Sequence, residues 1–289
     1  EPVWCVVTDA DINRVWAPLD PRRSRLHYLV PSRRAARRLR AYGVASERIH
    51  ETGFPLPPGL LGGPDLARLK ENLATRLVRL DPSGTFRRQM HDELGHFLGP
   101  LGGKPERPPL LVYAVGGAGA QAHLARRFLP GLHRMLVSGR LRLLLVAGVR
   151  REVADAFSGY LAEAGLEDEP GGAVEILVED DLDAYLDRFH RALADADILW
   201  TKPSEMTFFG ALGLPLVFGK PVGEHERFNR KWAIRQGAGI KQGDSRYAGG
   251  WLDEWLQDGT LARAAWSGYM HLPKFGLYRI LETIGHPVA

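Results

Sequence analysis

The run Leu110-Leu111-Val112-Tyr113-Ala114-Val115-Gly116-Gly117-Ala118-Gly119-Ala120 decides how the rest of the chain is read. Six uninterrupted apolar residues have the length of a buried strand, and five small residues then form a tight turn. A helical pattern continues to about Leu136. Strand, glycine-rich turn and helix in that order bring backbone N–H groups to an anion at a helix start, and they equally suit a purely structural reversal. The turn is neither a complete Gly-x-Gly-x-x-Gly fingerprint, because Ala122 takes the last position, nor a Walker A loop.

Outward from this unit the alternation persists. Strand-like runs at 141–147, 174–178, 198–201 and 215–218 are separated by helical patterns at 152–164, 182–194 and 206–212, and the remainder is expected to be helical. Upstream, 3–8, 27–30 and 49–52 read as strands, and 32–42 as a helix capped by Ser32 and ended by Gly43. Residues 54–63 are rich in Pro and Gly and predict turns; 65–80 and 83–98 look helical. Such βαβ alternation predicts an α/β fold of largely parallel sheets flanked by helices. The Gly- and Pro-bearing stretch 98–109 is the expected linker, dividing a first lobe with its linker, 1–108, from a second lobe, 109–289.

The 289 residues, 45% of them hydrophobic, can bury substantial cores. No apolar run reaches the roughly 18 residues needed to cross a bilayer. The single Cys5 excludes an internal disulfide and Cys-rich zinc motifs, which leads to the expectation of a cytoplasmic protein. The formal charge of +4 is uneven, with Arg33, Arg34, Arg37, Arg38 and Arg40 clustered. Such a cluster attracts phosphates or an anionic membrane surface, or is simply a solvated helix face. Nucleic acid is not expected, since no basic patch interleaved with aromatics accompanies it.

Two further clusters carry candidate chemistry. Thr201-Lys202-Pro203-Ser204-Glu205-Met206-Thr207 leaves one strand and enters the next helix. Its hydroxyls and free N–H groups suit a diphosphate and Glu205 suits ribose hydroxyls, whereas Ser204 as an N-cap and Glu205 as a dipole partner are the structural alternatives. Pro221-Val222-Gly223-Glu224-His225-Glu226-Arg227-Phe228-Asn229 follows the next strand, at the sheet edge where open α/β folds read ligands. No metal site is expected there, because neighbours at 224–226 share no helix face. In His91-Asp92-Glu93-Leu94-Gly95-His96 the histidines are five apart, so they diverge on a helix and do not make a metalloprotease motif. Ser158 and Ser204 lack a nucleophile-elbow pattern.

In order, these three clusters resemble the C-terminal lobe of the GT-B glycosyltransferases that include the lipid II-forming N-acetylglucosaminyltransferase and the diacylglycerol galactosyl- and glucosyltransferases. The resemblance runs from Leu110 to about Gly239 and includes Ala196-Asp197, Ala211-Leu212-Gly213-Leu214-Pro215 and Gly237-Ala238-Gly239. Val7-Thr8-Asp9 with Trp16, Tyr28-Leu29-Val30-Pro31-Ser32, Tyr42-Gly43-Val44 and Thr52-Gly53-Phe54-Pro55 resemble the second half of the family's N-terminal lobe. That implies two Rossmann-like lobes with the first truncated, and a homodimer or partner chain completing it.

The resemblance implies inverting, metal-independent transfer of a sugar from a nucleoside-diphosphate donor, UDP-linked by expectation, to an acceptor hydroxyl. The donor is a substrate and no cofactor is implied; the acceptor is expected to be lipid or anionic. By analogy Gly116, Gly117, Ala118 and Gly119 with Ser204, Glu205, Met206 and Thr207 flank the diphosphate. The loop Val178-Glu179-Asp180-Asp181-Leu182 holds the base through backbone groups, Glu205 or Glu226 meets ribose or sugar hydroxyls, and His225, Glu226 and Asn229 match the family's His-Gln…Asn segment. Asp9 is the candidate to orient or deprotonate the acceptor. The pattern departs from the family at Glu226, where Gln is usual, at Phe208, where a ribose-binding Glu is common, and at Asn13, near a frequent His. A noncatalytic donor-binding subunit and a nucleotide-sugar 2-epimerase are the alternatives.

Overall fold

A computed structural model describes residues 2–115, 119, 121–167 and 172–286. In the first sheet β1 (Val3–Val6), β2 (Leu26–Val30) and β3 (Ile49–Glu51) lie parallel in the order β1-β2-β3. Helix α1 (Arg33–Ala41) makes the crossover from β2 to β3. Ser32 caps it, its Oγ accepting from Ala35 N at 3.1 Å, and Gly43 leaves it at φ +94°, as the sequence predicts. Ala35, Ala36 and Leu39 bury the inner face of α1 against Val7, Tyr28, Val30 and Ile49, which makes a small separate hydrophobic cluster.

Four helices follow: α2 (Pro58–Leu61), α3 (Ala67–Leu80), α4 (Thr85–Gln89) and α5 (His91–Leu98). The expected helix at 83–98 is thus two helices with a break at Met90. Leu69, Leu73 and Leu77, spaced at i, i+4 and i+8, give α3 an apolar stripe that joins the large cluster around the second sheet.

The second sheet contains β4 (Leu110–Ala114), β5 (Arg142–Gly148), β6 (Val174–Val178), β7 (Ile198–Thr201), β8 (Leu216–Phe218) and β9 (Gly239–Lys241). They run parallel in the order β6-β5-β4-β7-β8-β9. Their connections include α6 (Leu124–Val137), α7 (Arg151–Glu163), α8 (Leu182–Asp195) and α9 (Glu224–Arg235), and the chain closes with α10 (Ala248–Gln257), α11 (Thr260–His271) and α12 (Gly276–Thr283).

Two sequence expectations change here. Residues 205–212 form a 3₁₀ helix instead of an α-helix, and β9 is a strand inside the region expected to be helical. Three residues are too few to show an alternating pattern, and what holds β9 is pairing of Gly239, Ile240 and Lys241 with β8. The strand order reverses between β4 and β7, the place where open α/β sheets bind ligands beyond their carboxyl ends. Thr201 Oγ1 donates to Ala114 O at 2.9 Å and stitches that junction.

Buried polar side chains hold the elements around the junction. Arg76 on α3 is 1% exposed. Its Nε donates to Ala196 O at 2.8 Å, and its Nη1 donates to Leu212 O at 2.7 Å, fastening the C-terminal ends of α8 and of the 3₁₀ helix. Burial pulls its guanidinium down to about 10, with Asp197 acting in the opposite direction, so it stays charged at neutral pH. Asp197 accepts from Arg79, Arg107 and the Leu110 amide, which ties α3 and the entry to β4 to the start of β7.

The C-terminal helices also reach the first lobe. A Cβ on Gly276 would lie 2.1 Å from Phe54 O, so only glycine lets the start of α12 rest on that backbone. No helix among the described residues is long and apolar enough to cross a membrane.

Replacing Arg76 with Leu leaves the Ala196 and Leu212 carbonyls buried without donors. Urea denaturation is expected to show a stability loss of about 3 kcal/mol; a change near zero would show that these bonds do not hold α8 and the 3₁₀ helix.

Candidate functional site

The cleft between the lobes is closed at one point by a polar bridge. Asn229 on α9 is fully buried. Its Nδ2 donates to Asp9 Oδ1 at 2.7 Å and to Pro203 O at 3.2 Å, and its Oδ1 accepts from Asp11 N at 3.2 Å. Trp16 Nε1 donates to Asp9 Oδ2 at 2.9 Å, so each oxygen of Asp9 already accepts one hydrogen bond. Asp11 in turn pairs with Arg34 and Arg38 of α1. Asp9 and Asn229, chosen from the sequence for different tasks, are therefore partners.

On the Thr8 side of this bridge lies a chamber of about 390 Å³. Thr8 and residues 55–57 contribute from the first lobe; the end of β5, the start of α8 and the 3₁₀ helix contribute from the second. Its surface is mostly apolar. Val149, Leu182 and Leu186 line it while remaining 45%, 59% and 38% exposed, so apolar surface is kept accessible inside a cleft, as ligand sites require. Tyr185, Phe189, Phe208 and Phe209 add aromatic walls, and Phe208 stacks on Phe54 across the lobes with ring centroids 4.2 Å apart.

Glu205 is the one carboxylate among the described lining residues. Burial, with a smaller contribution from the charge of Glu205, pushes the Tyr185 hydroxyl up to about 12. His190 is held below the usual histidine range by burial, against the pull of Asp187.

Two polar residues adjoin the lining residues Glu205 and Met206 in sequence. Ser204 and Thr207 are buried, and neither hydroxyl has a hydrogen-bond partner among the described residues. Ser204 occupies the cap position of the 3₁₀ helix without capping it, so the structural role open to it in the sequence is not the one it performs. Leaving such a hydroxyl unpaired costs about 1–3 kcal/mol. β4 is the neighbour of β7 in the sheet; near its end Tyr113 Oη donates to Gln121 O at 2.7 Å and Gln121 Nε2 donates to Lys220 O at 2.9 Å.

Leu182, Glu205 and Met206 thus line the chamber, with Ser204 and Thr207 beside two of them in sequence. Gly116, Gly117 and Ala118 lie outside the described residues; Gly119 has φ +64° and sits against Val153 and Arg150. The Glu179 side chain pairs with Arg188 at 2.7 Å, and its amide donates to Gly148 O. Glu226 is buried and accepts from Val222 N at 2.7 Å while pairing with Lys202 at 3.3 Å. His225 is exposed on the first turn of α9 and does not line the chamber. Sequence reasoning did not find Tyr185, Leu186, Phe189 and His190, although with Leu182 they follow the i, i+3, i+4, i+7, i+8 pattern of one helix face. No group of three or more His, Cys, Asp or Glu suited to a metal occurs among the described residues.

Solved structures share this fold. The S. aureus MnaA–UDP structure gives a TM-score of 0.53 over 89% of this chain and 60% of that one, at 12% identity. The UDP-GlcNAc 2-epimerase from Neisseria meningitidis bound to UDP-GlcNAc gives 0.53 over 89% and 61%, also at 12% identity. Anabaena HepE in complex with UDP and glucose gives 0.50 over 98% and 70%, at 13% identity. The fold is GT-B-like. At these identities the likeness concerns the fold alone, and the chain spans 60% and 61% of the first two proteins' lengths. No protein-family model and no curated protein matches the sequence.

In this GT-B-like chain the bridge predicts a specific electrostatic defect. Asn229→Asp keeps the shape but sets a carboxylate against Asp9. The variant is expected to lose about 1–3 kcal/mol at pH 7, with the loss shrinking as pH falls and the new carboxyl can donate to Asp9. Equal destabilisation at pH 4 and pH 7 would show that packing, not charge, dominates the contact.

Proposed function

We propose that the chamber and the adjoining hydroxyls bind a nucleoside-diphosphate sugar, and that the chain transfers the sugar to an acceptor hydroxyl. The observation that carries this reading is an apolar, aromatic chamber whose lining residues Glu205 and Met206 are flanked in sequence by two buried hydroxyls without partners among the described residues. A base and ribose need flat apolar walls with a few polar groups; a diphosphate needs hydrogen-bond donors that have no other partner. Glu205 is placed to accept from ribose hydroxyls, while Ser204 and Thr207 donate to phosphate oxygens. In the GT-B-like setting the Anabaena protein, solved with UDP and glucose, supports a UDP-linked donor.

The reaction on this reading is attack of an acceptor hydroxyl on the anomeric carbon, with departure of the nucleoside diphosphate. The hydroxyl loses its proton to a general base, and Ser204, Thr207 and backbone N–H groups stabilise the leaving group. Asp9, beside the chamber-lining Thr8, orients the acceptor or receives its proton through lone pairs not used by Trp16 and Asn229. We place the reaction in the cytoplasm, at an anionic membrane surface, and without a metal.

A second reading, epimerisation at C2 of the sugar, is supported by the likeness to the Neisseria UDP-GlcNAc 2-epimerase. Product analysis separates them. A transferase releases UDP when an acceptor is supplied, whereas an epimerase changes the sugar with no acceptor present.

Thermal unfolding tests the donor site. UDP or a UDP-sugar at about 100 times its Kd is expected to stabilise the chain by about 2.7 kcal/mol. Glu205→Ala is expected to remove most of that gain. Absence of any shift or calorimetric heat with UDP, GDP, ADP and dTDP compounds would overturn the donor-site reading.

A further inference from the structure

On the Asp11 side of the Asn229 bridge is a second cavity, of about 480 Å³, built from both lobes. Arg33 and Arg37 of α1 face it from the first lobe; Lys231 and Arg235 of α9 and Arg279 of α12 face it from the other side. None of these five side chains has an ion pair or hydrogen bond among the described residues, a contrast with the many arginines paired elsewhere. The two carboxylates that line the cavity are already committed: Asp11 to Arg34 and Arg38, and Glu51 to Arg40 at 3.6 Å. The cavity therefore carries uncompensated positive charge. Helix α1 also begins here, with Ser32 in the wall, so its positive dipole end adds to the field.

We infer that this interlobe cavity is a second binding site, separate from the apolar chamber, for a small phosphate-rich anion carrying two or more negative charges. The inference does not depend on the donor reading. A surface kept charged for solubility intersperses the two signs; here like charges from two lobes converge on one concave space. Arginine forks match phosphate oxygens two at a time, and four of the five free cations are arginines. Because the cations repel one another across the cavity, occupancy by a polyanion lowers that repulsion. A phosphorylated soluble compound and a lipid phosphate headgroup share this chemistry.

Isothermal titration with inorganic pyrophosphate tests the site. The wild-type chain is expected to bind it with an affinity that falls with added salt, and the double variant Arg37→Gln/Arg235→Gln is expected to bind at least tenfold more weakly. Both positions are exposed, and the urea midpoint reports whether the variant is folded. If it is not, the double variant Lys231→Gln/Arg279→Gln serves in its place. The variant Ser204→Ala/Thr207→Val, whatever it loses at the proposed donor site, is expected to keep the salt-sensitive pyrophosphate binding that the arginine variant loses. Loss in that variant with retention in the arginine variant would assign the anion to the switch point and overturn the inference. Pelleting with phosphatidylcholine vesicles, with or without phosphatidic acid, identifies the source: charge-dependent pelleting abolished by Arg37→Gln/Arg235→Gln indicates a headgroup, and pyrophosphate binding without pelleting indicates a soluble anion. Binding of neither pyrophosphate nor the acidic vesicles would also overturn it.

Discussion

The carboxamide of Asn229 donates to Asp9 of the first lobe, accepts from the backbone of Asp11, and holds Pro203 of its own lobe. Apolar packing tolerates small slides, but a buried amide with partners on three sides is satisfied in one relative placement of those partners. The chamber and the cationic cavity both have walls from each lobe, so the width of each depends on that placement. The stacked pair Phe54 and Phe208 adds area at the same boundary without adding direction. One polar contact thus separates two spaces of opposite character, apolar beside Thr8 and basic beside Asp11.

The apolar chamber runs against the general tendency of folding to cover such surface. Leu182 and Leu186 stay accessible because α8 is held from behind: Arg76 grips the carbonyl of Ala196 at its end, and Asp197 is gripped by Arg79 and Arg107. The same arginine grips Leu212, the last residue of the 3₁₀ helix that carries Glu205. The charged interior of the large lobe is therefore what keeps the apolar interior of the cleft from collapsing.

The alternating fold was legible because each strand of the second sheet is a short buried run and each crossover helix a longer amphipathic one. Ser32 and Gly43 were legible for a local reason, since a cap and a left-handed exit involve residues within a few positions. β9 was not, because its identity comes from β8 and not from its own three residues. In the site, Leu182, Glu205 and Met206 could be placed by counting from strand ends. The tasks of Asp9, Glu226 and Asn229 could not be read in the same way. Asp9 is engaged by Trp16 and Asn229 and Glu226 by Val222 and Lys202, and the Asp9–Asn229 partnership depends on how two lobes meet. Phe208, noted only as a departure from a family pattern, proves to be an aromatic wall stacked on Phe54.

The bridge also imposes an order in time. Its two ends are 220 positions apart, and Arg76 is 136 positions before Leu212. At ribosomal rates of about 5–20 residues per second, Asn229 is made about 10–45 s after Asp9. Through that interval the first three strands have only their own small cluster to hold them, and the Phe54 ring waits for Phe208. Parallel strands joined by long crossovers offer few local contacts to bridge the delay. The two halves of this molecule acquire their mutual geometry only once α9 has been made, and a nascent chain stalled before α9 would present the cleft's apolar wall to the chaperones of the cell.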